Sequence, residues 1–375
     1  VGNKDGKGMD IVNFASTGNA TDFGDVQGTL IRAAANACNG KYGFSLGGAT
    51  PGITNMVQKF NMTSLGNMVD WSDLSSARQD SKGACGSHDG IDWDSISVQR
   101  PSATYMPGSD RGFNVGGSGP SNYSLVEMLN VSTTGAISDF GNLAAATWHL
   151  YSCSSRTRMV TSGNNGATVT MESIEMGSAG NAADFGDATT ARRSPGALSS
   201  TTRGVFGGGN SPGTALNVID YVTIATAGNA TDFGDLTAAR AYVGAGNSST
   251  RGVWGGGLVS SPAGLNTIDY ITTASTGDAS DFGDLSAPNY FARGVSSATR
   301  CVFMGGTAPE APAIVDVMEY ITIASTGNAT DFGNLDANHT AGATCQNLTR
   351  GCYMGGEIAS APYNVNIVQY VTIAS

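Results

Sequence analysis

His88, Asp89, Asp92, Trp93 and Asp94 crowd one short stretch of the chain, and their types suit the recognition of a sugar. An aromatic ring stacks on the apolar face of a pyranose, while carboxylates hydrogen-bond its hydroxyls. Tyr123 and Tyr363 stand in two further segments rich in Gly, Ser, Pro, Ala and Asn, where rings can join such a surface. These are the candidate ligand-binding residues.

Other chemistry-bearing patterns lack their partners. The triplet Asp232-Phe233-Gly234 would hold magnesium only inside a kinase framework of Gly-rich loop, strand Lys and catalytic-loop Asp, and the triplet recurs along the chain, which is foreign to that framework. The run Gly207-Gly208-Gly209 is followed by no Gly-Lys-Ser/Thr and no helical pattern, so it reads as a turn and not a phosphate cradle. No Gly-x-Ser-x-Gly elbow comes with a His partner. The only histidines, His88, His149 and His339, fall in different units, which leaves soft or borderline metals little to hold. Asp232 and Asp235 have oxygens for calcium, but Asp in a tight turn caps N–H groups, and that is the expected role. We expect no metal, no cofactor and no catalysis.

The elements that position these residues follow from a repeat. Asp232-Phe-Gly-Asp-Leu236 has counterparts beginning at Asp22, Asp70, Asp139, Asp184, Asp281 and Asp331. Each is followed about two dozen residues later by a glycine doublet or its remnant, at Gly47, Gly116, Gly163, Gly207, Gly255, Gly305 and Gly355. A unit repeated every fifty residues or so makes one array, in which neighbouring units bury each other's faces. Residues 9–375 therefore read as a single domain, with 1–8 as an N-terminal extension.

Composition narrows the partners. With 40% apolar residues the chain can build a core, and 13% charged residues with abundant Gly, Ser, Thr, Ala and Asn favour short strands over amphipathic helices. A net charge of −11 argues against nucleic acid, whose phosphates need a Lys/Arg stripe. No apolar run approaches the ~20 residues that span a bilayer, and no basic-then-apolar leader opens the chain, so neither membrane insertion nor a signal peptide is expected. The chain opens at Val1 in place of Met, which points to processing or trimming. Cys38, Cys85, Cys153, Cys301, Cys345 and Cys352 show no CxxC spacing; Cys85, Cys153 and Cys345 align with Leu198, Gly246 and Val295, a column of small buried residues.

Residues 240–285 show how one unit folds. Ala241–Asn247 is a small-residue segment suited to a crowded inner strand, and Arg251–Gly257 is a short apolar strand ending in glycines. Asn266–Ala274 is a β-branched and aromatic run, and Ser280–Leu285 is a short outer strand. Four strands with alternating short and long connections make a propeller blade, so the fold class is all-β, a seven-bladed β-propeller of four-stranded blades.

Aligned units expose columns. A basic residue heads the second strand in every copy, as Arg203, Arg251, Arg300 and Arg350. The third strand holds Asp220, Asp269 or Glu319 beside Tyr221, Tyr270 or Tyr320, and the outer strand holds Phe233, Phe282 or Phe332. We expect those arginines to pair with those acids, because a packed Arg without a partner is costly.

An Arg-headed strand, a Gly-Gly doublet, an acidic residue beside Tyr and an outer-strand aromatic, as in Arg240, Gly255-Gly256, Asp269-Tyr270 and Phe282, resemble the kelch-type repeat. Phe here stands where kelch repeats usually have Trp. The longer phrase Tyr320-Ile-Thr-Ile-Ala-Ser-Thr-Gly-Asn-Ala-Thr-Asp-Phe-Gly333 is also similar to tandem-repeat proteins of marine bacteriophages, especially cyanophages, described as virion structural or tail-fibre-like. That resemblance implies a non-catalytic particle component at the virion surface or outside the cell. Its implied partners are other virion proteins or identical subunits, and a host-surface glycan or protein. A carbohydrate-active enzyme and a cellular protein-interaction propeller are the alternatives on the same scaffold.

Strand order divides the unit into two faces. First-to-second and third-to-fourth turns, nearly identical between copies, lie on one; second-to-third loops and the links between blades lie on the other, and their wording differs, which is where recognition resides. Residues 75–97, carrying His88 to Asp94, are surplus to the array and read either as an insertion that protrudes on the variable face or as a decayed half-repeat packed on the blade side. Third-strand copies number eight, from Met9–Phe14 to Asn366–Ile373. Thr21–Val26 should therefore close the ring beside the C-terminal strand, leaving Met9–Phe14 free to dock elsewhere.

Overall fold

A computed structural model describes residues 8–12, 21–25, 35–38, 42–50, 52–61, 64, 66–77, 82–85, 111–117, 121–130, 138–155, 157–260, 263–309, 313–346, 350–354, 357–358 and 368–373. Among the described residues there is no helix. These residues form six four-stranded antiparallel sheets, one sheet of five strands and three two-stranded ones. Gly244–Asn247, Arg251–Gly255, Thr267–Thr272 and Ser280–Asp284 form one of the six, in that order from the inside outward. Seven innermost strands lie side by side in chain order, and the last, Ala343–Gln346, lies beside the first, Ala35–Cys38. This is a β-propeller.

Its cores lie between sheets. Leu198, Val205, Ile219 and Phe233 of one blade pack with Val243, Trp254 and Ile271 of the next, and Val253, Ile268 and Phe282 pack likewise with Cys301, Phe303 and Ile321. Each large apolar side chain so buried contributes roughly 1.5–3 kcal/mol. The fit is reciprocal in size. A Cβ on Gly252 would lie 2.2 Å from Leu198, and one on Gly204 would lie 2.1 Å from Cys153. At the next interface the sizes are exchanged, since Cys301 takes the Gly252 place and stands 2.5 Å from where Gly246, in the Leu198 place, would carry a Cβ.

The repeated phrase is a peripheral latch. Asp232 Oδ1 accepts the Gly234 N–H at 3.2 Å, turning the outer strand, and Gly234 has φ 139°. A Cβ there would meet the Gly277 backbone of the next blade at 2.5 Å, so the two backbones touch where only glycine fits. The Gly277 N–H then donates to Phe233 O at 2.7 Å, and the Asp235 N–H donates to Asp278 Oδ1 at 3.0 Å. The same contacts recur from Asp184 to Asn229 and from Asp281 to Asn328. Around the axis, the Ser154 N–H donates to Ser199 Oγ at 3.0 Å and the Asn247 N–H to Ser296 Oγ at 3.1 Å, so polar side chains join inner strands that share no ladder.

The structure corrects several expectations. Against the seven four-stranded blades expected, the described residues form six four-stranded blades and one sheet of five strands. In the five-stranded sheet, Ala343–Gln346, Arg350–Met354 and Val368–Thr372 are followed by Gly8–Val12 and then Thr21–Asp25. The N-terminal segment does join the C-terminal sheet, but Thr21–Asp25 does not touch the C-terminal strand; the third-strand copy expected to be free lies between them, because its own edge can pair there.

Inside the span 75–97, Lys82–Cys85 is an inner strand paired with Arg111–Val115. Lys82–Cys85 and Arg111–Val115 are thus first and second strands of one blade, and residues 86–110 between them lie outside the described residues. Cys85 pairs opposite Gly112, one place beyond the Cys153–Val160 register, so it aligns with Ser154 and not with Leu198. Cys153, Cys301 and Cys352 are free and buried.

Of the arginines that head second strands, Arg158 pairs with Glu175 of its third strand, whereas Arg203 and Arg251 lie on tyrosines and not on Asp220 or Asp269. Arg203, Arg251 and Arg300 lie over Tyr221, Tyr270 and Tyr320 at 4.5, 4.7 and 4.8 Å. Arg203 and Arg251 also donate to Thr273 O and Ile323 O of the next blade, both at 2.9 Å. A guanidinium flat on a ring, with a carbonyl at its edge, is partnered without a carboxylate.

Candidate functional site

The acids instead receive the link that leads into their own blade. Asp269 accepts the Thr237 N–H at 2.9 Å and the Thr237 hydroxyl at 2.7 Å, and forms a fully buried ion pair with Arg240. Arg240 also donates to Gly256 O at 3.1 Å and Thr267 O at 2.6 Å. Asp220 holds Thr189 and Arg192 in the same way. Burial pushes the Arg192 guanidinium down to about 10, and burial also lowers Arg240 against the opposing pull of Asp269. In the next blade Asn289 takes the Arg240 place and donates to Gly305 O at 2.8 Å, while Glu319 reaches the Ser286 N–H at 2.9 Å. Long base with short acid thus fills two successive blades, and short amide with long acid the next. In a further blade Glu172 accepts the Ala144 N–H at 2.7 Å, and burial raises its pKa.

So fixed, the links run along the face that carries the second-to-third loops. Isolated bridges tie Arg193 to Asn210, Ala241 to Leu258, Tyr290 to Thr307 and Thr340 to Glu357, each joining a link to the loop of its own blade. These loops are short hairpins, Asn210–Ser211 with Thr214–Ala215, Leu258–Ser260 with Ala263–Gly264 and Thr307–Ala308 with Ala313–Ile314, all different in sequence.

One residue beyond each bridge, and likewise at His149, just before the inner strand, the backbone turns left-handed. His149, Ser194, Tyr242, Phe291 and Ala341 have φ of 60°, 54°, 57°, 59° and 53°. The turn lets neighbouring links join around the axis: the Phe291 N–H donates to Tyr242 O at 3.0 Å, and the Tyr242 N–H to Ser194 O at 3.4 Å. Since Ser194 and Ala341 make the same turn, the backbone conformation belongs to the fold. The side chains do not. Left-handed geometry disfavours bulky residues by about 1–2 kcal/mol, and Gly or Asn would relieve it. Yet Tyr242 and Phe291 place rings there, 4.4 Å apart, with Tyr290 5.3 Å from Phe291, and Trp148 stacks on His149 at 4.0 Å.

These half-buried rings form an arc at the axial end of the variable face. Arg193 lies in the same arc, its Nε donating to Asn210 Oδ1 at 2.9 Å. Ring faces with phenol, imidazole, guanidinium and amide groups at hand can stack on an apolar surface and hydrogen-bond hydroxyls. Among the described residues no group of three or more His, Cys, Asp or Glu is placed to hold a metal ion. His339 is buried within its link, its Nε2 3.1 Å from Asp336 Oδ1.

Of the sequence candidates, His88, Asp89, Asp92, Trp93, Asp94 and Tyr363 lie outside the described residues. Tyr123 is a clamp: its hydroxyl donates to Ala77 O at 3.1 Å, its N–H to Gly117 O at 2.9 Å, and its carbonyl accepts the Thr147 N–H at 3.0 Å. Trp148, His149, Tyr242, Tyr290 and Phe291 escaped the sequence reading. Their signal was there, as aromatic residues at two adjacent repeat positions just ahead of the small inner strands. No protein-family model matches the chain, and no curated protein matches it in sequence.

Proposed function

We propose that the chain is a non-catalytic recognition propeller, a kelch-like ring in which the five-stranded sheet serves as the seventh blade. It presents the arc of Trp148, His149, Tyr242, Tyr290 and Phe291, with the hairpins around it, to a host-surface glycan or protein. The observation that carries this reading is the choice of Tyr242 and Phe291 at a left-handed position that the fold itself fills elsewhere with Ser194 and Ala341. A strained site occupied by a bulky ring, where a small residue folds equally well, indicates that the ring is kept for what it touches. The resemblance of the repeat phrase to virion structural and tail-fibre-like proteins makes the particle surface its proposed location.

The test separates binding from folding. Phe291→Gly removes the ring and relieves the backbone, so its melting temperature should match or exceed that of the parent chain. Binding to a glycan array or to host cells should fall by about tenfold or more, as expected for losing a stacked ring of 1–3 kcal/mol. Unchanged binding by Phe291→Gly and Tyr242→Gly would remove the arc from the function. Immunogold labelling of intact particles tests the location, and absence of label would refute it.

A further inference from the structure

The closing sheet contains a strand too many. Val368–Thr372 and Gly8–Val12 have the same third-strand wording and lie side by side in parallel, with Asp10 opposite Gln369, Ile11 opposite Tyr370 and Val12 opposite Val371. Equivalent repeat positions face one another across this seam. Gly8–Val12 meanwhile pairs with Thr21–Asp25 as third and outer strands pair elsewhere. Met9–Gly24, Asp10–Asp22 and Ile11–Thr21, with a register shift after Met9, reproduce Ile219–Gly234, Asp220–Asp232 and Tyr221–Thr231, with its shift after Ile219. The N-terminal hairpin is thus a finished third-and-outer pair, added to a sheet that already has its third strand.

Its hold on that sheet is the single parallel strand seam among the described residues. Parallel pairing is slightly weaker per residue than antiparallel pairing, and this seam spans only three residue pairs. The edge of Val368–Thr372, once vacated by Gly8–Val12, would accept the same pair of strands from any source, because backbone groups carry the pairing.

We propose that the Gly8–Asp25 hairpin is exchanged between copies: it leaves its own sheet and docks on the Val368–Thr372 edge of a second chain, reciprocally. The seam formed is identical in both states, so what differs is the local concentration imposed by residues 26–34 against the bulk concentration of chains. This self-association is independent of the recognition arc, which lies at the axis and not on the blade edge.

Mixed full-length variants test it. One chain carries Asp10→Cys and is nitrogen-15 labelled; the other carries Gln369→Cys and is unlabelled. Strands ~4.8 Å apart allow a disulfide between facing residues. After incubation at increasing concentration and mild oxidation, mass spectrometry should find the 10–369 crosslink joining labelled to unlabelled peptide, with a yield that rises with concentration. Asp22→Cys in place of Asp10→Cys should give none, since one strand then intervenes. Crosslinking only when both substitutions share a chain, or equal yields from Asp22→Cys, would overturn the proposal. Native mass spectrometry of labelled and unlabelled parent chains guards against a misfolded variant: mixed dimers are expected, and monomers alone at every concentration would refute exchange.

Discussion

Replacing Asp269 by Ala should cost far more than the loss of one surface ion pair. Asp269 and Arg240 have fully buried side chains, and Asp269 also takes the N–H and hydroxyl of Thr237. Without it the guanidinium keeps Gly256 O and Thr267 O but has no counter-charge, and two polar groups of Thr237 lose their partner. Breaking a buried pair from one side costs about 3–5 kcal/mol. If the ring melts as one unit of 375 residues, its unfolding entropy is about 0.8 kcal/mol/K, and the melting temperature should fall by about 4–6 °C. The neighbouring blade supplies the rescue. Arg240→Asn with Asp269→Glu copies Asn289 and Glu319, which satisfy the same carbonyl and the same link N–H. A double-mutant cycle by calorimetry or urea titration should show the pair recovering at least half of the summed single losses. A cost below about 1 kcal/mol for Asp269→Ala, or additive losses in the double variant, would refute the claim that acid and link residue form one device.

Gly246→Val should destabilise the fold by about 1–3 kcal/mol through overlap with Cys301, and adding Cys301→Gly should restore most of it, because Gly252 with Leu198 is that arrangement one interface earlier. Thermal melts of the three variants check it; a tolerated single substitution would contradict the packing. Burial pushes the Cys153 thiol from 9.0 to about 12 and the Tyr353 hydroxyl from 10.0 to about 12. Such groups stabilise the fold below their unfolded pKa and lose that contribution as pH rises toward the folded one. Stability measured in urea should therefore decline between pH 9 and pH 12, by roughly 1.4 kcal/mol per pH unit for each group titrating in the unfolded chain, and a flat profile would refute the burial. Cys153, Cys301 and Cys352 should resist iodoacetamide in the native protein and react fully in urea.

The propeller was legible because its signals are local: Asp-Phe-Gly turns, glycine exits and β-branched third strands recur in seven registers. What stayed hidden lies between repeats. Asp269 has an Arg at each side of its inner strand in sequence, Arg240 and Arg251, and spacing alone does not say which one reaches it. The fold decides, since Arg251 heads a strand whose side chain lies on Tyr270 while Arg240 enters the blade beneath the carboxylate. The inner strand inside the span 75–97 was missed for a related reason. Asp70–Arg78 and Asp92–Arg100 have the same wording, and nothing in it marks Lys82–Cys85 as the strand that ends the true link. The arc of rings was passed over because its residues vary between copies, while the columns drew attention to what repeats.

A ring of near-identical blades faces a particular hazard, because any third strand could pair with any second strand at little local cost. The differing solutions at the interfaces oppose that. Leu198 fits only beside a Gly252, and Cys301 only beside a Gly246. Arg240 needs the short Asp269, whereas Asn289 goes with the longer Glu319. A blade placed next to the wrong neighbour would set bulk against bulk or leave a buried guanidinium unpaired, each a penalty of kcal/mol size. The differences among the repeats therefore order the ring as much as their likeness builds it. Among the described residues, only at the closing sheet do two equivalent strands, Gly8–Val12 and Val368–Thr372, meet, and that is where the architecture departs from its own pattern.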